Sequence, residues 1–82
     1  MCIFLDVPTL YRFKNIAIRI HTQDHAPAHV HAESPDGWAK IDLKTLQVIE
    51  ADGFTKNELN IIVEFVAARA THLTDKWKEI HE

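Results

Sequence analysis

Residues Asp24 to His31 read DHAPAHVH and hold three of the six histidines of the chain. Imidazole titrates near neutral pH without help from its surroundings and is the commonest metal ligand, so this density marks a candidate site for proton transfer or for a metal. His25, His29 and His31 are the candidate metal ligands. Three imidazoles would leave zinc or another divalent cation an open position for water, which is the catalytic pattern, and Asp24 would orient one ring from behind. The spacing His25-x-x-x-His29-x-His31 is less specific than a Cys-x-x-Cys signature. The same residues also suit chemistry without a metal. His29 and His31 would act as acid and base on a phosphodiester, Arg19 and Lys40 would neutralise developing charge, and Trp38 would stack a base, as in a small ribonuclease. A third reading is structural, with the loop folded on itself through Asp24 and the histidine N–H groups and stiffened by Pro27.

The elements that must position these groups follow from periodicity. Thr9 to Phe13 (TLYRF) is β-branched and aromatic and reads as a strand. Lys14 and Asn15 turn, and Ile16 to Ile20 (IAIRI) alternates, so the two segments pair as a hairpin. Alternation fails from His21 to Ala28 and resumes in His29 to Glu33 (HVHAE). Pro27 pushes Ala26 toward extended geometry, which delivers the loop stretched to that strand. Ser34 to Gly37 (SPDG) is a turn, Trp38 to Leu43 (WAKIDL) a strand, and Leu46 to Glu50 (LQVIE) the last strand of a meander.

After Asp52 and Gly53, the segment Thr55 to Glu58 (TKNE) matches a capping box. Leu59, Ile62, Val63, Val66, Ala70, Leu73, Trp77 and Ile80 then recur at three and four. The stripe contains no Gly or Pro and predicts one helix from Lys56 to about Ile80. At 1.5 Å per residue it would be roughly 37 Å long, so its last turns would overhang the sheet or meet a partner. On this stripe Trp77 is a core residue, His72 a solvated flank and His81 a fraying end.

The expected architecture is α+β: a four- to five-stranded antiparallel meander with one long C-terminal helix packed on one face. It forms a single domain over residues 1–82, with a lead at 1–7, the sheet at 8–51 and the helix at 55–80. A period of two then sorts the side chains. With Ile16, Ile18 and Ile20 facing the helix, Val30 and Ala32, and Ala39, Ile41 and Leu43, are the matching inward sets. Ala17, Arg19 and His21, then His29, His31 and Glu33, then Trp38, Lys40 and Asp42 point to the other, open face.

Composition narrows the function. Twelve acidic against nine basic residues, a formal charge of −3, argue against strong non-specific binding to nucleic acid. One cysteine, Cys2, permits no internal disulfide and no cysteine-rich zinc site, which fits a reducing cytosol. The apolar lead before Pro8 is too short for a signal peptide, and no stretch has the length of a membrane span, so the expected location is cytoplasmic. No Gly-rich phosphate loop and no Ser-His-Asp order is discernible.

The run TLYRFKNIAIRIHTQDHAPAHVHAE, followed by AKIDLKTLQVIE and a long helix bearing a Trp, resembles the bacterial family called domain of unknown function 4160. The resemblance covers Pro8 to about Trp77, and its DHxPxHxH motif falls on Asp24, His25, Pro27, His29 and His31. Ala28 stands where the family pattern often has a second Pro, which leaves the loop slightly freer. The resemblance implies a small bacterial protein encoded beside another small protein, in an arrangement similar to toxin–antitoxin pairs. It thereby implies a partner protein and an activity on RNA, by association. Histidine-triad hydrolases and cupins do not fit the spacing. Three functional expectations result: a toxin–antitoxin-like module acting through a partner and on RNA, with His25, His29 and His31 as its catalytic groups supported by Asp24, Arg19 and Lys40; a metal-dependent hydrolase with the same three histidines as ligands; and a non-catalytic interaction module, with self-association open.

Overall fold

The computed structural model describes residues 9–21 and 27–81. The lead Met1 to Val7, and Asp24 and His25 of the motif, lie outside the described residues. Five strands are formed: β1 (Thr9–Phe13), β2 (Ile16–Arg19), β3 (His29–Glu33), β4 (Trp38–Asp42) and β5 (Val48–Asp52). They make one sheet in the order β1-β2-β3-β4-β5 with every neighbouring pair antiparallel, the expected meander.

The turns explain where the strands stop. Lys14, with φ 54°, supplies the left-handed residue of the first hairpin. In the third turn Ser34 accepts from the N–H groups of Asp36 and Gly37 through its hydroxyl, while its own N–H donates to the Gly37 carbonyl at 2.8 Å. The expected last strand began at Leu46, but Leu46 has φ 61° and its N–H donates to the Asp42 carbonyl, so β5 starts at Val48. The Asp42 carboxylate organises this turn by accepting from Lys44 N–H at 2.7 Å and Thr45 N–H at 2.9 Å. A register shift between Lys40 and Ile41 then places Lys40 opposite Glu50 and Ile41 opposite Val48.

The capping box forms as expected. Thr55 accepts from Glu58 N–H at 3.1 Å, and the Glu58 carboxylate accepts from Thr55 N–H at 2.7 Å. The single long helix does not form. Two helices follow instead, α1 (Lys56–Ala68) and α2 (Ala70–His81). The break is at Arg69, whose φ of −121° and ψ of 16° leave the helical range. Arg69 donates from Nη1 to the Phe65 carbonyl at 3.0 Å, and its guanidinium lies 3.7 Å from the Phe65 ring centre and 5.4 Å from that of Tyr11. The first strand thus holds the break in place through packing that local propensity does not report.

Sheet parity holds in the core. Ile18, Ile20, Val30, Ala32, Ala39 and Ile41 are fully buried together with Ile62 and Val66 of α1 and Leu73 of α2. Phe13 stacks on Phe65 at 4.0 Å and closes the β1 side. The break in the helix decides what its last turns do. They do not overhang: Leu73 is in the core, and Trp77 and Ile80 pack against it. Among the described residues no helix is long and apolar enough to cross a membrane.

Candidate functional site

The second face of the sheet is not the open surface that parity alone suggests. Ala17 is 3% exposed, His29 7% and His31 8%. The described rings on this face pack on one another. His21, just past β2, folds flat over His31, with ring centres 3.6 Å apart and planes within 4°. His29 and His31, two residues apart on β3, have ring centres at 5.1 Å, and Trp77 of α2 reaches His29 at 5.3 Å. Trp77 in turn stacks on His81 at 3.8 Å. The rings of His21, His31, His29, Trp77 and His81 therefore run as one ribbon from the edge of the face to the end of α2.

Strand register builds the rest. Arg19 is opposite His31, His31 opposite Lys40, and Lys40 opposite Glu50, so one row crosses four strands. The adjoining row runs Ala17, Glu33, Trp38, Asp52. Glu33 joins the rows: its Oε2 lies 3.0 Å from His21 Nε2, and its Oε1 lies 3.4 Å from Arg19 Nε. In this contact the His21 Nε2–H donates to the carboxylate, which fixes the ring's orientation much as a buried acid fixes a catalytic imidazole. His29 is anchored differently, through Nδ1 and the Pro27 carbonyl at 2.7 Å, so that nitrogen donates.

Each expected site residue now has a place. His29 and His31 share the ribbon. Arg19 pairs with Glu33, and Lys40 lies beside His31 but pairs with Glu50 at 3.4 Å. Trp38 is next to Glu33 across the strands and is 40% exposed, a free indole face at the margin of the site. His25 and Asp24 fall outside the described residues. His72 is exposed, as expected of a solvated flank, and its Nδ1 is bonded to the Tyr11 hydroxyl.

Two residues of the constellation had no assigned role in the sequence reading, His21 and Glu33. Both were in the outward set, and strand pairing was the signal that would have joined them, because it brings the end of β3 back beside β2. Among the described residues, His21, His31 and Glu33 are the group whose ligand atoms all lie within 4.8 Å of one another. Electrostatically the face carries Arg19 and Lys40 against Glu33, Glu50, Asp52 and Asp42, so with neutral imidazoles it is acidic. The Asp42 carboxyl is held below its ordinary value of 3.8, first by the Thr45 and Lys44 N–H groups that favour its charged form and more weakly by nearby His29.

No curated protein and no solved structure matches the chain. Residues 15–78 match the family described as Domain of unknown function (DUF4160), a span that takes in β2 to β5, all of α1 and the imidazole ribbon as far as Trp77. The match begins later than Pro8, where the resemblance read from the sequence starts, and so leaves β1 outside. On a match over most of its length, the chain belongs to the DUF4160 family.

Proposed function

We propose that this chain is the working half of a two-protein module of the toxin–antitoxin kind, acting with a small partner on an RNA phosphodiester at the His21–His31–Glu33 face. The observation that carries the reading is the 3.0 Å contact between His21 Nε2 and the Glu33 carboxylate, a half-exposed imidazole oriented by an acid and backed by the buried ring of His31. In this role His21 is the proton-transfer group, Glu33 holds its orientation, and the Trp38 indole offers a stacking surface for a base.

The partner is part of the proposal for an electrostatic reason. Arg19 and Lys40 are each engaged by a carboxylate, and the chain carries a formal charge of −3, so it has little positive field with which to hold a polyanion by itself. A basic partner would supply that field. The last strand favours such docking, because β5 is an exposed sheet edge and presents Ile49 at 46% exposure.

The test is co-expression of the untagged chain with the product of the adjacent gene, followed by RNA cleavage by the chain alone and by the pair. The expected result is a stable complex, cleavage only by the pair, and loss of cleavage in His21→Ala and Glu33→Gln. Growth inhibition or cleavage that survives both substitutions removes the catalytic role and leaves an interaction module. Failure of the two proteins to associate removes the partner.

A further inference from the structure

We infer that His21, His31 and Glu33 form a binding site for a divalent transition-metal ion of the zinc and iron(II) class, a two-histidine, one-carboxylate set distinct from the His25, His29 and His31 set that spacing suggests. This does not depend on RNA or on a partner; a bound ion takes up the same His21 and Glu33 atoms that proton transfer would use, so the proposed activity belongs to the ion-free site.

Geometry is the first argument. Ligands at about 2.1 Å from a cation and at right angles to each other lie about 3.0 Å apart, and a tetrahedral angle widens this to about 3.4 Å. His21 Nε2 and Glu33 Oε2 already stand at 3.0 Å, and the ligand atoms of His21, His31 and Glu33 all fall within 4.8 Å of one another. An ion entering there replaces the proton that His21 and Glu33 share, so that both become its ligands. The required movement falls on the more exposed of the two imidazoles. His31 is buried, whereas the His21 side chain is 30% exposed and must tilt out of its parallel stack so that the two nitrogens converge.

Charge and support are the second argument. Arg19 lies 3.4 Å from Glu33 Oε1, which directs the other carboxylate oxygen toward His21, as outer groups orient ligating carboxylates elsewhere. Among the described residues the face as a whole carries four carboxylates, Glu33, Glu50, Asp52 and Asp42, against Arg19 and Lys40, a balance that favours a cation. Two imidazoles and one carboxylate leave coordination positions open, the arrangement of exchangeable and catalytic sites.

The experiment uses the full untagged chain, stripped of metal, titrated with Co2+ and then with Zn2+ by calorimetry and by the visible absorption of cobalt. The expected result is one ion per chain, a cobalt spectrum abolished by Zn2+, at least tenfold weaker binding in His21→Ala and in Glu33→Gln, and unchanged binding in His72→Ala. The two site residues are half-exposed, so circular dichroism should report folded variants. Absence of saturable binding by the parent chain, or equal affinity in His21→Ala and His72→Ala, overturns the inference. Absence of saturable binding together with RNA cleavage by the metal-free pair would leave the proposed function standing and overturn this site alone.

Discussion

Replacing Leu73 by alanine tests the step on which the site geometry rests, the return of α2 to the sheet after the break at Arg69. Leu73 is fully buried, and it is the one residue of α2 in the innermost core. Truncation to Ala removes apolar carbon worth about 0.8 kcal/mol per methylene, or about 2.4 kcal/mol in all, and the cavity left behind raises the cost. Because α2 is joined to the rest by a bend and can settle inward, a loss of about 3 kcal/mol is expected, within the range for buried Leu→Ala changes. For a domain of this size that is a large share of roughly 4–12 kcal/mol of total stability and a drop of roughly 12–24 °C in Tm. Urea unfolding followed by circular dichroism measures it, with exposed Thr71→Ala on the same helix expected to change stability by less than about 0.5 kcal/mol. Tryptophan fluorescence should change as well, because Leu73 holds the helix that sets Trp77 against His29 and His81. A loss below about 1 kcal/mol would mean that α2 does not fold back and would refute the path from α2 to the imidazole ribbon.

Two further outcomes follow from the local chemistry. Thr55→Ala removes the hydroxyl that caps α1 and half of the reciprocal pair with Glu58, and should cost about 1 kcal/mol in denaturant unfolding. Asp42 has a folded-state pKa below its unfolded value, so its contribution is complete above 3.8 and is lost as pH falls through the lowered folded-state value. Asp42→Ala should therefore be less stable than the parent at neutral pH, with the difference shrinking in acid; a gap that stays constant down to pH of about 2 would contradict this.

How much was legible in the sequence differs by element. The β1 and β3 boundaries, the meander and the capping box all follow from period two, turn residues and a four-residue signature, each of which acts within a few positions. The start of β5 was displaced because Leu46 takes a left-handed turn that its side chain does not advertise, held by the Asp42 carbonyl and flanked by a turn closed on the Asp42 carboxylate. The apolar stripe from Leu59 to Ile80 was a correct account of which residues face inward, and that same continuity hid the bend.

The sequence by itself determined parity: which side chains of each strand enter the core and which, His29, His31, Arg19 and Lys40 among them, face away from it. That information is local, since successive residues of a strand alternate whatever the rest of the chain does. Only the tertiary structure decided that His29 and His31 are buried on the second face, that His21 and Glu33 complete the cluster, and that Trp77 reaches it. Those outcomes depend on contacts between segments far apart in the chain, the pairing of β2 with β3 and the packing of Arg69 between Phe65 and Tyr11, and no pattern within one segment encodes them.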